Sequence, residues 1–172
     1  MALNTDLITL PISTLAYIGD AIFELAVREA ISATSGGHSG RLHYLSIAYV
    51  KASAQAEMLD TVREILTDGE ENLVRRAANH QPHSMPKHAD QATYRSATAL
   101  ETLWGYLYLD HNYKRLTELF FYAHPEFAGC EIRCLRYAGI TGAADSADET
   151  AEVSRETSST TAAAASEQNT ED

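Results

Sequence analysis

The stretch from Leu15 to Ile31 is apolar on almost every side of a helix, and it constrains the fold more than any other feature of the sequence. Pro11 and the hydroxyl residues after it suit a helix start, and Thr34-Ser35-Gly36-Gly37 suits a helix end. A helix with so little polar surface needs neighbours that cover it. We therefore expect this helix to be largely buried inside a domain.

The remaining sequence up to residue 140 shows helical periodicity and no alternating strand pattern, so the predicted fold class is all-α. Asp68, Asp90 and Asn112 are expected to cap helices. The predicted helices are 42–66 with a break near residue 50, 68 to about 79, 90–109, 112 to about 122, and 125 to about 137. Residues 81–87 contain two prolines and are predicted to form a loop.

A chain of 172 residues suits one domain, here followed by a tail. Between residues 141 and 172, Ala, Thr and Ser make up 19 of 32 positions, and Val153 is the single large aliphatic residue. Such a segment buries too little apolar surface to offset the entropy lost on ordering. We therefore predict a folded domain over 1–140 and a disordered acidic tail over 141–172.

The net charge, the hydropathy and the N-terminal sequence limit the kinds of partner that we expect for this chain. The tail carries eight acids and one base, so residues 1–140 hold only −4 of the net charge of −11, and binding to nucleic acid would require clustered bases. No apolar run reaches the ~18 residues of a membrane span. The N-terminus lacks the basic start of a secretory signal. We expect a cytoplasmic protein without a membrane partner.

Three charged residues, Asp20, Glu24 and Arg28, break the apolar surface of the first long helix at a spacing of four residues. Residues at that spacing share a helix face. One interpretation is a solvated stripe with a weak Glu24–Arg28 pair. The other is a carboxylate at the edge of a buried helix, compensated by a metal ion or a partner charge.

Glu101 is a second candidate carboxylate, within the predicted helix 90–109. Thr98 and Gly105 share its face, three residues before it and four residues after it. Glycine inside a helix costs about 1 kcal/mol relative to alanine, so Gly105 indicates that something approaches closely there. From this segment alone, ordinary helix packing is favoured over a functional site.

Basic residues gather around the predicted loop 81–87: Arg75 and Arg76 before it, Lys87 at its end, and Arg95 in the next helix. They predict either a phosphate-binding edge or arginines that stabilise a helix C-terminus. His80, His83 and His88 lie in the same region, where we expect a polar loop rather than a zinc site. Cys130 and Cys134 are expected on one helix face as packing residues, not ligands.

Two segments resemble a known family. Residues 15–25 (LAYIGDAIFEL) resemble the signature helix of ribonuclease III, and residues 94–109 (YRSATALETLWGYLYL) resemble its second catalytic helix. The size is similar to that of Mini-ribonuclease III, the short bacterial form without a double-stranded-RNA-binding domain. The resemblance covers about 12–122, with further matches at Leu42-His43, Tyr49-Val50, Ala54-Gln55-Ala56, Arg75-Arg76, Asn79 and Pro86-Lys87.

The resemblance implies a homodimeric, all-α endoribonuclease domain that cleaves double-stranded RNA with Mg²⁺ and leaves 5′-phosphate and 3′-hydroxyl ends. Asp20 and Glu101 match the catalytic, metal-coordinating carboxylates, with Glu24 and Thr98 as candidate supporting residues. RNA would contact Arg75, Arg76, Asn79, Lys87 and Arg95. The implied role is maturation of precursor 23S ribosomal RNA, with a ribosomal protein as a candidate partner.

The sequence departs from the subfamily at four positions. Ala77 and Ala78 replace a glycine and an arginine, and Lys51 and Ser53 replace a serine and a lysine; both changes are expected to touch the RNA-facing surface. An alternative function is an inactive RNA-binding module of the same fold, acting in ribosome assembly. The presence of both Asp20 and Glu101 favours the active enzyme.

Overall fold

The structure is a computed structural model that describes residues 4–80 and 90–136, and within these ranges it contains helices and no strands. This agrees with the all-α prediction. The α-helices are α1 (Thr5–Ile8), α2 (Ile12–Thr34), α3 (Ser39–Val50), α4 (Ala52–Val62), α5 (Asp68–Ala78), α6 (Gln91–Leu109) and α7 (Tyr113–Ala123). Short 3₁₀ turns follow at Arg63–Ile65, Pro125–Phe127 and Arg133–Leu135.

Helix α6 lies at the centre of the domain, packed against α2, α4, α5 and α7. Its Trp104 is fully buried and meets Phe23 of α2 edge to face, with ring centroids 5.0 Å apart, and Phe120 of α7 at 6.1 Å. Edge-to-face contacts of this kind add to the stabilisation from burial. The aromatic contacts therefore fix the positions of α2 and α7 relative to α6.

Two of the three predicted helix caps are confirmed by hydrogen bonds. Asp90 accepts from the Thr93 N–H at 2.9 Å, and Asn112 accepts from the Arg115 N–H. The predicted break near residue 50 falls at Lys51, between α3 and α4. The cap of α5, however, is Thr67 and not Asp68, because Thr67 and Glu70 form a reciprocal capping box.

The predicted last helix, 125 to about 137, is wrong as far as residue 136, where the described part ends. Two 3₁₀ turns replace it, and Gly129 between them has a φ of +88°, which no α-helix can contain. Buried contacts of Phe127, Ile132 and Leu135 hold this segment on the core instead. Cys130 and Cys134 consequently do not share a helix face, although both pack against the core.

Helix α2 is less buried than its composition predicts. Nine of its residues are buried, but Tyr17 is 81% exposed and Leu25 is 44% exposed on the opposite side. Two large apolar side chains of α3, Tyr44 and Ile47, are also exposed. The apolar surface of α2 is therefore only partly covered within one chain.

No helix in residues 4–80 and 90–136 combines the length and the hydropathy that crossing a membrane requires. The predicted loop 81–87 and the predicted tail 141–172 lie outside the described residues.

Candidate active site

Two glycines allow α2 and α6 to cross with their backbones in contact. A Cβ atom added at Gly19 would overlap the carbonyl oxygen of Glu101, and one added at Gly105 would overlap the carbonyl oxygen of Leu15. Neither glycine has an unusual φ, so the requirement is space and not backbone conformation. The sequence indicated that something approaches Gly105 closely, and in the structure this is the backbone of α2 at Leu15.

This crossing brings together the two candidate carboxylates. Asp20 follows Gly19 directly on α2, and the backbone that Gly19 touches on α6 is that of Glu101. The Asp20 side chain is exposed, whereas Glu101 is half-buried. Burial and the negative charge of Asp20 together raise the pKa of Glu101 to about 7.

Asp20 also titrates above its usual range. Although Asp20 is exposed as a residue, partial burial of its carboxyl is the main cause of the raised pKa, and the charge of Glu24 adds to it. Glu24 itself forms an exposed ion pair with Arg28 at 2.8 Å. Each of the two interpretations of the charged stripe therefore holds for part of it. Glu24 and Arg28 form a solvated ion pair, whereas Asp20 lies at the edge of the buried helix crossing.

Gln55, from the first turn of α4, is a third member of this site, and the sequence patterns did not predict it. It is only 2% exposed, and its amide lowers the pKa of both Asp20 and Glu101, against the effect of burial. Its Nε2 nevertheless forms no hydrogen bond of normal geometry with any described residue. The signal in the sequence was a glutamine in line with Leu59 and Val62 on the buried face of α4.

The two carboxylates and the amide suit a hard divalent cation better than a soft one. Mg²⁺ binds through one or two carboxylates and retains several waters, whereas a closed zinc site takes four ligands that include nitrogen or sulfur. Within the described residues, no group of three or more His, Cys, Asp and Glu side chains could hold a metal. Burial, followed by the charge of a neighbouring carboxylate, raises the pKa of each carboxyl, and a cation beside them would favour their ionised forms.

Glu24 and Thr98, the two predicted supporting residues, form no hydrogen bond with either carboxylate among the described residues. Thr98 lies one turn before Glu101 on α6 and is half-buried; its carbonyl accepts from the Thr102 hydroxyl at 2.7 Å. No hydrogen bond among residues 4–80 and 90–136 joins Thr98 or Glu24 to Asp20 or Glu101. Glu24 therefore acts on the site through its charge.

Among the predicted RNA-binding residues that the structure describes, all except Arg95 are exposed. Arg75, Arg76 and Asn79 lie at the open C-terminal end of α5, where Arg75 donates to Asn72 at 2.6 Å. Arg95 is half-buried in α6, and its Nε is buried without a partner in the described chain. Lys87, with His83 and His88, lies outside the described residues.

The structure corrects one of the two expected changes on the RNA-facing surface. Ala77 is 1% exposed and belongs to the hydrophobic core, and Ala78 packs against that core. Position 77 therefore faces the interior of the domain. Lys51 and Ser53, at the start of α4, are exposed.

The cysteines behave as packing residues. Burial raises the pKa of the Cys134 thiol to about 12, and the Cys134 N–H donates to the Glu29 carboxylate at 3.0 Å. A thiol with so high a pKa is protonated at neutral pH and is therefore a poor nucleophile.

Comparison with known proteins gives a consistent family. The profile of the Ribonuclease III domain matches residues 13–112. A Mini-ribonuclease 3 from Symbiobacterium thermophilum is 43% identical over 112 residues, which cover 65% of this chain and 86% of the relative. A Mini-ribonuclease 3 from Enterococcus faecalis is 40% identical over 107 residues, covering 61% and 81% respectively.

A solved structure supports the fold. The crystal structure of a protein from Fusobacterium nucleatum superposes with a TM-score of 0.63 and covers 72% of this chain and 99% of its own. The two sequences are 24% identical, so this likeness concerns the fold alone.

Proposed function

Since this chain belongs to the ribonuclease III family and is an endoribonuclease of the Mini-ribonuclease 3 group, we propose that it cleaves double-stranded RNA with Mg²⁺ held by Asp20 and Glu101. The observation that carries this proposal is the glycine crossing of α2 and α6, which sets two carboxylates of raised pKa side by side. The proposed products carry 5′-phosphate and 3′-hydroxyl ends.

The two carboxylates have different tasks in this proposal. Asp20 is exposed and presents its carboxylate to the solvent side, where a duplex would arrive. Glu101 is half-buried and, with a pKa of about 7, holds a proton in part of the population at neutral pH when no cation is present. Binding of a cation requires that Glu101 release this proton. A bound Mg²⁺ would supply Lewis-acid chemistry, activating a water and neutralising charge on the leaving oxygen.

Recognition of the duplex is proposed to depend on phosphate contacts. Arg75, Arg76 and Asn79 at the C-terminal end of α5, and Arg95 near the start of α6, offer positive charge and hydrogen-bond donors. In the sequence, Lys87 lies between these two helices. Double-stranded RNA is recognised mainly through its shape, its phosphates and its 2′-hydroxyls. We therefore propose limited sequence preference and a substrate within precursor 23S ribosomal RNA, in the cytoplasm, with a ribosomal protein as a candidate partner.

A homodimer is part of the same proposal. Tyr17 and Leu25 on α2, with Tyr44 and Ile47 on α3, expose large apolar surfaces that a second copy would cover. Sedimentation equilibrium at micromolar concentration is expected to give twice the chain mass of 18.8 kDa. A single-chain mass would contradict the dimer but not the chemistry of the carboxylates.

The activity is tested by incubating the full chain with a duplex RNA and with one of its single strands, in Mg²⁺ and in excess EDTA. We expect cleavage of the duplex in Mg²⁺ alone, with products that a 5′-phosphate-dependent exonuclease degrades. Binding of the duplex without cleavage in Mg²⁺ would instead identify an inactive RNA-binding module.

A further inference from the structure

The described residues contain four buried polar side chains, and three of them have complete hydrogen bonds. The Ser46 hydroxyl donates to the His43 carbonyl, the Thr102 hydroxyl donates to the Thr98 carbonyl, and the Glu70 carboxylate accepts from Arg115. Gln55 is the exception, because its Nε2 is buried without a partner. A buried donor without a partner is uncommon and calls for an explanation.

The surroundings of Gln55 indicate that its amide acts on the two candidate carboxyls. Three other buried side-chain nitrogens lack partners in the described chain, those of Arg95, Trp104 and His124, but none of them influences the pKa of a candidate carboxyl. The Gln55 side chain lowers the pKa of both Asp20 and Glu101 and therefore faces both carboxyls, although its Nε2 completes no hydrogen bond of normal geometry within the described residues. It reaches them from α4, a helix other than the two that carry the carboxylates, and α4 packs directly on α6.

A glutamine amide has two N–H donors, which is the number needed to serve two carboxylates at once. Donation favours the ionised form of a carboxyl and orients the oxygen that accepts, so the other oxygens are left for a cation. An amide performs this without adding charge, whereas a lysine would compete with the cation and a glutamate would add to the repulsion.

We propose that Gln55 is a positioning residue of the RNA-cleaving site, whose buried amide donates to Asp20 and Glu101 and holds both carboxylates ready for a divalent cation. The inference rests on the proposed function for its biological meaning. The role of Gln55 toward the carboxylates can nevertheless be tested without cleavage.

The test compares wild type with Gln55→Met, which keeps the length of the side chain and removes both donors. Ser46→Ala is the matched control, because it removes a buried polar group of α3 whose hydrogen bond stays within α3. Binding of Mn²⁺, which takes the same oxygen ligands as Mg²⁺, is followed through the electron paramagnetic resonance of the free ion. Binding of duplex RNA is measured in EDTA.

We expect Gln55→Met to weaken Mn²⁺ binding by about 10- to 100-fold, as the loss of a residue that orients metal ligands does. Binding of RNA in EDTA should stay within about twofold of wild type, and Ser46→Ala should change neither quantity. Unchanged Mn²⁺ affinity in Gln55→Met would overturn the proposal, even if the wild type cleaves RNA. Absence of cleavage by the wild type would overturn the proposed function and leave the Mn²⁺ comparison standing.

A second measurement does not depend on the folding of a variant. In ¹⁵N-labelled wild type, the side-chain amide signal of Gln55 should shift as the diamagnetic Mg²⁺ is added, because the carboxylates that accept from it become ligands. The amide of Gln91, which is exposed at the start of α6 and ten residues before Glu101, gives the reference signal. A Gln55 signal that moves no more than the reference would overturn the proposal.

Discussion

Gly19 of α2 lies against the backbone of Glu101 of α6 so closely that a Cβ atom at Gly19 would overlap the Glu101 carbonyl oxygen. This contact serves both the fold and the candidate site, since Asp20 is the next residue along α2. Any side chain at Gly19 would separate the helices and, with them, the two carboxylates.

Gly19→Ala is therefore expected to lower the free energy of unfolding by about 1–3 kcal/mol or more, as overpacking of a rigid contact does. Gly36→Ala is the control, because a Cβ atom there meets nothing within 4 Å. That variant should stay within about 0.5 kcal/mol of wild type. Urea unfolding of the two variants measures the difference, and equal stabilities would contradict the close crossing of α2 and α6.

The pKa of Glu101, about 7 in the folded chain and 4.5 as its ordinary value, makes stability depend on pH. Between these values the folded chain holds a proton that the unfolded chain has released, so stability falls as pH rises from about 4.5 to 7. The full effect is on the order of 3 kcal/mol, from 1.36 kcal/mol for each unit of pKa. Glu101→Gln removes this contribution.

The measurement is urea unfolding of wild type and Glu101→Gln at pH 5 and pH 7.5 in EDTA. The difference between the two proteins is the quantity to compare, because burial lowers the pKa of His124 and gives the opposite slope in an overlapping range. We expect Glu101→Gln to gain stability relative to wild type on going from pH 5 to pH 7.5. A constant difference would show that Glu101 has an ordinary pKa.

The pair of Glu70 and Arg115 joins α5 to α7 and is nearly buried, with side chains 5% and 13% exposed. Arg115 donates to both carboxylate oxygens of Glu70, at 3.0 and 2.9 Å, and also to the Ile65 carbonyl. Arg115→Ala leaves a buried carboxylate without its partner and is expected to cost about 3–5 kcal/mol.

Arg28→Ala is the matched control for Arg115→Ala, because it breaks an ion pair of similar length on the surface. Its expected cost is below about 1 kcal/mol. These hydrogen bonds keep the pKa of Glu70 below its ordinary value, so the stabilisation is present at neutral pH and is lost as pH falls through that lowered pKa. Thermal melts at pH 7 and pH 3 measure both effects.

Arg76 and Arg95 have no ion-pair partner within the described residues, so their charges are available to phosphates. Arg76→Ala, Arg95→Ala and Lys87→Ala should each weaken the binding of different duplexes by a similar factor. Each should also reduce the slope of log affinity against log salt by about 1. Arg133→Ala, an exposed arginine paired with Glu131, is the control. Unchanged slopes in all three variants would place the RNA elsewhere.

Local features of the fold were predictable from the sequence, because they depend on neighbours in the chain. Asp90 and Asn112 cap the helices that they were expected to cap. The segment after Pro125 was not predictable from periodicity alone, since its shape depends on core contacts and on the left-handed conformation of Gly129.

The candidate site also contains residues that the sequence identified and one that depends on tertiary packing. Asp20 and Glu101 were identified through the resemblance of two segments to a family, and spacing alone left both open to structural explanations. Gln55 lies 35 residues from one carboxylate and 46 from the other along the chain, so only the packing of α4 on α6 reveals it. The alignment of Gln55 with Leu59 and Val62 marks it as buried, but nothing local in the sequence shows that it meets the two carboxylates.

Single-turnover cleavage of duplex RNA by Asp20→Asn and by Glu101→Gln tests the central claim most directly. Each substitution keeps the volume of the side chain and removes one negative charge, so the fold and RNA binding in EDTA should match wild type. With enzyme in excess over RNA and Mg²⁺ at saturation for the wild type, we expect each rate to fall by more than about 100-fold, beyond the loss typical of residues that only orient metal ligands. Cleavage by either variant at the wild-type rate would contradict the assignment of Asp20 and Glu101 as the catalytic pair.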